Sequence, residues 1–323
     1  MGKLLFLFAG IPFFLFSEEE QEVFPTGDFV PWFTGSLLSF SPVVLPVGTI
    51  DIEPYLFSLA KTAVYDSDWK TQSVSTYWSN SSLTVFQVGV APRVDIQVYP
   101  TFFWNDCQGT SHLELGDTSI FLDFQIFYAD PGSWVPNIKL FLREIIPTGK
   151  YRNLSPHGHR TQIGGMGSWQ TNLSLALGNV LYLGSGHFLE YRVFFNYDFP
   201  APVHVKGFNY YGGGYGADAR IFPGQNMTCV LSAEVNVTQN IAFAFDCVGE
   251  FASRDTYTGD VGALPNGEFA PLGFHSSTQL SLAPAIEYNW SNNMGIIGGA
   301  WFTIAGRNCD AFEGGVIAFN LLY

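Results

Sequence analysis

Nine carboxylates and three bases stand at every second position of segments that are otherwise apolar: Asp51, Glu53, Asp95, Asp123, Glu190, Glu234, Asp246, Glu250 and Glu287, with Lys139, Arg143 and Arg192. Ionised groups confined to one face of a sheet can line a passage. An acidic excess there favours cations, and the bases set up a transverse field against the acids on the far side. The opposing arrangement is that the charges pair and close the space, because burying them alone is costly.

Other groups offer less chemistry. His157 and His159 in the run SPHGHR are too few to hold a metal, and the sequence calls for no cofactor. His112, His204 and His275 lie near Ser and Asp residues at loop rims, but their spacing selects no nucleophile and base, so no catalytic residue is assigned and the chain is read as non-enzymatic. Outer-membrane hydrolysis is the least supported alternative. The glycine run at 212–216 does not lead from a strand into a helix, which excludes a phosphate cradle and leaves a mobile outer loop.

Cys229 and Cys247 fall on consecutive segments. A five-residue loop pairing Val235 with Ile241 would set them opposite one another as a disulfide, whereas a three-residue loop pairing Val237 with Ile241 would leave them diagonal and free. Cys107 and Cys309 fall in expected outer loops, placed to pair with each other or with other proteins.

The elements that must position the charges are strands. Between Gly116 and Lys150, Ile120, Leu122, Phe124, Ile126 and Tyr128, then Ile138, Leu140, Leu142 and Ile146, alternate with Asp117, Ser119, Asp123 and Gln125, then Asn137, Lys139 and Arg143. Successive side chains on a strand point to opposite faces, so this hairpin has one greasy and one ionised side. Twelve such segments run over 49–62, 82–90, 94–104, 117–128, 136–146, 169–182, 187–198, 224–237, 241–251, 278–290, 294–305 and 311–323. Each is near the roughly 10 residues that a tilted strand needs to cross a bilayer.

The links between them sort by length. Short ones at 91–93, 129–135, 183–186, 238–240 and 291–293 alternate with long ones at 63–81, 105–116, 147–168, 199–223 and 252–277, and with a shorter one at 306–310. Transmembrane barrels have short periplasmic turns and long outer loops, which places both ends of the chain in the periplasm. A secreted sandwich, the soluble alternative, has no reason to sort its loops this way.

Composition points the same way. Charged residues are 13% against an average near ~25%, aromatics reach 17%, and Gly numbers 34. A net charge of −14 excludes nucleic acid and anionic lipid as partners that need basic patches. Residues 1–17, with Lys3 ahead of the apolar run from Leu4 to Phe16, read as a signal peptide. Residues 18–48, broken by Pro25, Pro31, Pro42 and Pro46, read as an irregular lead-in that lies inside the lumen or caps its mouth. Residues 49–323 form the barrel.

Tyr128, Trp134, Tyr182, Trp290 and Tyr323 at the periplasmic ends, and Trp104, Trp169 and Tyr197 at the outer ends, would form two interfacial girdles. The last segment, with Ile317, Phe319, Leu321 and Tyr323 on one face, resembles the C-terminal signature by which barrels are recognised for insertion.

Gly116-Asp117 opening a strand, Pro147-Thr148-Gly149-Lys150 closing the hairpin, Pro31-Trp32-Phe33-Thr34-Gly35, and Ile52-Glu53-Pro54-Tyr55-Leu56-Phe57 resemble the outer-membrane transporters of the meta-pathway of phenol degradation. That resemblance implies a membrane β-barrel and uptake of small solutes, brings no catalytic residues, and does not assign phenol as the substrate. The expectation is an all-β, twelve-stranded antiparallel transmembrane barrel in the outer membrane of a Gram-negative cell. It would act as a passive channel for small solutes, with outer-membrane lipid and the barrel-insertion machinery as partners. The alternative is a structural or adhesive surface protein with a plugged lumen.

Overall fold

The computed structural model describes residues 31–323; the expected signal peptide and the first part of the lead-in lie outside the described residues. The chain forms β1 (Ile50–Tyr65), β2 (Thr71–Ala91), β3 (Val94–Tyr99), β4 (Thr101–Cys107), β5 (Thr110–Leu115), β6 (Thr118–Phe127), β7 (Asn137–Ile146), β8 (Gln170–Gly184) and β9 (His187–Pro200). These are followed by β10 (Val203–Lys206), β11 (Asp218–Phe222), β12 (Asn226–Asn236), β13 (Ile241–Ala252), β14 (Thr256–Asp260), β15 (Ser277–Ser291), β16 (Met294–Arg307) and β17 (Cys309–Leu322). No helix among the described residues is long and apolar enough to cross a membrane.

All strands but β10, β11 and β14 belong to one antiparallel sheet, and β1 pairs with both β2 and β17, which closes it into a barrel. Pro100 has no N–H to give the ladder and splits one wall strand into β3 and β4, both of which pair with β2. Gly116 and Asp117 split the next into β5 and β6, which pair with β4 and β3. With each broken pair taken as one wall strand, the barrel has twelve, as the alternation implies.

Two outer connections differ from the sequence expectation. Residues 63–81 are largely ladder, with Tyr65 opposite Thr71 across a tight turn in which Asp66 Oδ1 accepts from the N–H groups of Asp68 (2.8 Å) and Lys70 (3.0 Å). Residues 105–116 are a hairpin closed by Gln108 and Gly109, with φ of 51° and 78°. Two consecutive left-handed residues give the turn whose twist matches paired strands. These arms stand clear of the apolar zone, so the run Thr71–Ser82 lacks the greasy alternation that marks the other strands. The remaining outer connections at 147–169, 201–225, 253–276 and 308 keep the expected contrast with the short periplasmic turns.

β10, β11 and β14 form a second small sheet built from two of the long outer connections. Val203, Val205, Tyr211, Ala219, Ile221 and Leu272 are buried beneath it. The glycine run read as a mobile loop is instead packed there: Gly213 N–H donates to Pro271 O at 2.8 Å and Gly214 N–H to Val261 O at 3.1 Å. A Cβ on Gly214 would lie 2.3 Å from the Ala263 carbonyl oxygen, so the glycine permits a close backbone approach.

The greasy face looks outward. Ile120, Leu142, Leu173, Phe195, Phe243, Phe245 and Ile286 are exposed on the barrel exterior, and Trp104, Trp134, Trp169, Tyr182, Tyr197, Trp290 and Tyr323 are exposed towards its two rims. Burial of such a face in lipid predicts that Leu142→Arg lowers folding stability in liposomes by about 2–4 kcal/mol. Urea unfolding followed by tryptophan fluorescence should show that loss. A change below measurement error would mean that Leu142 does not face the hydrocarbon.

Candidate functional site in the lumen

The twelve charged residues all lie on the inward face. Asp51, Asp95, Asp123, Lys139, Glu190, Arg192, Glu234, Asp246 and Glu287 are buried, and Glu53, Arg143 and Glu250 are half-buried. Their arrangement differs from the expected opposed rows of charge. Asp95 and Asp123 face each other across β3 and β6, and Lys139 on the adjoining β7 reaches both, with Nζ 3.4 Å from each Oδ2. Arg192 forks onto Glu190 two residues earlier on the same strand, with Nε and Nη2 each donating at 3.0 Å. Arg143 donates to Ser119 Oγ at 3.1 and 2.8 Å and lies 5.0 Å over the Phe121 ring. Charges removed from water pair with whatever is nearest, and on a sheet that is the next strand or the next residue of the same face.

Other polar groups of the wall bind residues 31–48, which run through the lumen. Asn289 donates to Trp32 O, and Glu287 Oε1 accepts from Thr34 N–H at 2.6 Å. Asp246 Oδ2 accepts from Leu38 N–H at 3.0 Å, while Arg192 Nη1 donates to Ser39 O at 3.3 Å. Gln125 bonds both ways, donating to Pro42 O at 3.0 Å and accepting from Val44 N–H at 2.8 Å. Lys139 Nζ lies 3.4 Å from Val43 O, and Asp95 Oδ2 accepts from Leu45 N–H at 2.9 Å. Gly48 N–H donating to Gly89 O at 2.8 Å then hands the chain to β1. Carboxylates and the Gln125 amide oxygen take the segment's N–H groups, and amide N–H groups and bases take its carbonyls.

Close approach is built in at Gly35, with φ +106°, where a Cβ would lie 2.4 Å from the Arg192 guanidinium. Leu37 sits in a pocket with Ala244, Ala283, Ala285, Ile297, Val316 and Ala318. Phe40 stacks on Phe194 at 4.7 Å between ring centroids and meets Phe141 edge-on at 5.5 Å, with Phe121 and Tyr99 close by.

The inward aromatics were not singled out from sequence. The signal was present, because Phe121, Phe141 and Phe194 occupy the same alternate positions as Asp123, Lys139 and Arg192. On the side of Phe40 towards Arg143 and Glu250 lies a cavity of about 310 Å³, lined also by Leu38, Phe121, Phe194 and Trp301.

Of the two registers open for Cys229 and Cys247, the structure has the one without a disulfide, and all four cysteines are free. Cys229 stands opposite Gly249, and Cys247 opposite Leu231. Val237 N–H bonds Ile241 O at 2.7 Å, so the shorter of the two loops sets the register and leaves the thiols diagonal. The histidines are used locally: His112 contacts Thr161 Oγ1 at 2.7 Å, and His204 contacts Asp218 at 2.6 Å on the small outer sheet. Among the described residues no group of three or more His, Cys, Asp or Glu is placed to hold a metal.

Lys139 serves two carboxylates and one carbonyl of the inserted segment, so Lys139→Met strands two buried anions at once. The expected loss is about 3–5 kcal/mol, the usual cost of removing one partner of a buried pair. Adding Asp95→Asn and Asp123→Asn should recover most of it. The midpoint of the heat-induced mobility shift on gels measures both effects, and an unchanged midpoint in Lys139→Met would show that the cluster carries no stability.

No protein-family model matches the chain, and no curated protein matches it. Among solved structures it is similar to an outer membrane channel from Pseudomonas putida F1, with a TM-score of 0.65 at 13% identity over 87% of this chain and 98% of that one. The translocator domain of the autotransporter NalP from Neisseria meningitidis gives a TM-score of 0.46 at 9% identity, over 86% of this chain and 89% of that one. The chain thus has the fold of an outer-membrane β-barrel.

Proposed function

We propose that the protein is an outer-membrane channel for small solutes whose lumen is gated by its own residues 31–48. The observation that carries this is the match between wall and insert. Five of the inward charges, Asp95, Lys139, Arg192, Asp246 and Glu287, and the amides of Gln125 and Asn289, which would line an open passage, bind the inserted backbone instead. Fixing a residue's backbone costs about 1–2 kcal/mol, and a hydrogen bond returns about 0.5–1.5 kcal/mol, more when an ion takes part. The two are of similar size, so the insert is held by a narrow margin that its apolar anchors, Leu37 and Phe40, must supply. A segment held this way can leave without unfolding the wall.

Once it leaves, the nine acids read from the sequence and Asp198 face three bases around the lumen, and the passage favours cations. The resemblance to the transporter family of the meta-pathway of phenol degradation supports the same reading, as does the fold shared with the Pseudomonas putida channel. In this account residues 1–17 are removed on export, the exterior contacts outer-membrane lipid, and the strand ending in Tyr323 is what the insertion machinery reads. That strand closes against β1, where Tyr323 N–H bonds Ile50 O at 2.8 Å and Ile50 N–H bonds Tyr323 O at 2.9 Å.

A plugged structural or adhesive barrel is the second reading, favoured by the filled lumen and by the folded sheet on the outer connections. Planar-bilayer recording separates the two. Deleting residues 31–44 should turn brief, small openings into sustained ones several-fold larger, with reversal potentials showing cation preference. Equal conductance with and without the segment, or anion preference, contradicts the gated channel. Absence of solute uptake in liposome swelling by both forms favours the structural reading.

A further inference from the structure

Above the inserted segment the lumen changes character. The cavity of about 310 Å³ rests on Leu38 and Phe40, is walled by Phe121, Phe194 and Trp301, and carries two ionisable groups on its lining, Arg143 and Glu250. A volume at the small end of the ligand-pocket range, mostly apolar and with few polar groups, suits one small organic molecule better than a stream of hydrated ions.

The charges around it do not balance. Arg143 is held by Ser119 and by the Phe121 ring, and its positive charge is answered by nearby Asp198. Asp198 in turn accepts from the amides of Asn172, Asn196 (2.5 Å) and Asn226 (3.4 Å). Glu250 stands between Thr228 and Gln279 in the ladder. Gln279 spends its amide on Asp310 O at 2.6 Å, and the ionisable neighbours of Glu250, Asp198 and Cys309, are not cations. One carboxylate in an aromatic chamber is therefore left without a cation, and the three charges sum to −1.

We infer that this cavity is a binding site for a small organic ammonium ion, with its charged head on Glu250 and its apolar body among Phe40, Phe194 and Trp301. The aromatic faces attract a cation as well as covering its hydrocarbon part, which an inorganic ion could not use. An organic anion directed at Arg143 would meet Glu250 on the same lining. The inference deepens the channel reading by naming a solute class. It can be tested apart from that reading, because binding needs no passage.

The experiment is isothermal titration calorimetry on the full chain in lipid nanodiscs, with 2-phenylethylammonium, 3-phenylpropionate and 2-phenylethanol as probes. The ammonium ion should bind at least tenfold more tightly than the other two. Glu250→Gln should reduce it to the level of the alcohol while leaving the alcohol's affinity unchanged, and Phe194→Leu should weaken all three, with folding verified by the gel mobility shift. Equal or tighter binding of the propionate, or an ammonium affinity that survives Glu250→Gln, overturns the site. If Glu250→Gln does not fold, Thr228→Lys, which places a cation beside Glu250, must abolish ammonium binding, and retention overturns the site. Planar-bilayer conduction without ammonium binding refutes this inference alone, whereas binding without conduction refutes the channel alone.

Discussion

A chain that enters a closed barrel finds no free strand edge, because every wall strand is already paired on both sides. Its own N–H and C=O groups are out of water and must still be satisfied. The segment 31–48 also carries Pro31, Pro42 and Pro46, which prevent it from forming regular structure of its own. Wall side chains are the partners left, and much of the lumen follows from that need. Glu287, Asp246 and Asp95 accept from N–H groups, Arg192 and Lys139 donate to carbonyls, and Gln125 does both. The bases at the same time neutralise neighbouring acids, so the docking set is also an ion-pair set.

The lumen is layered in consequence. Along β6, β7 and β9 the inward positions run from polar or charged near the periplasmic turns, with Phe188 at the start of β9 the exception, through Phe121, Phe141 and Phe194, to Ser119, Arg143 and Asn196. The first layer grips backbone, the second grips Phe40, and the third borders the cavity. The exterior needs no such variation, since lipid makes the same demand all round.

Much of the fold was legible because a period of two is imposed by geometry wherever a sheet separates lipid from a polar interior. The twelve wall strands of the antiparallel barrel follow from that alternation. What lay outside the apolar zone was less legible: the arms after Tyr65 and Cys107 continue as ladder with no greasy face to mark them. The register of β12 and β13 rested on whether Val235 or Val237 opposes Ile241, a choice made by turn geometry that decided the state of two cysteines. The site itself was half visible. The charges were read either as a lining for ions or as pairs that close the space, and the prolines of 31–48 left that segment inside the lumen or over its mouth without naming its partners, while the phenylalanines sharing the charged face were not singled out.

The account turns on the inserted segment being the gate, and a reversible tether tests that most directly. Leu37→Cys with Ala244→Cys, in a chain whose four native cysteines are serine, joins the segment to the pocket that holds it. Single-channel recording across one bilayer should show openings suppressed under oxidation and restored when reductant is added, with no such change in either single-cysteine form. Conductance that is the same with the tether closed and open would mean that ions pass around the segment and that it does not gate the barrel.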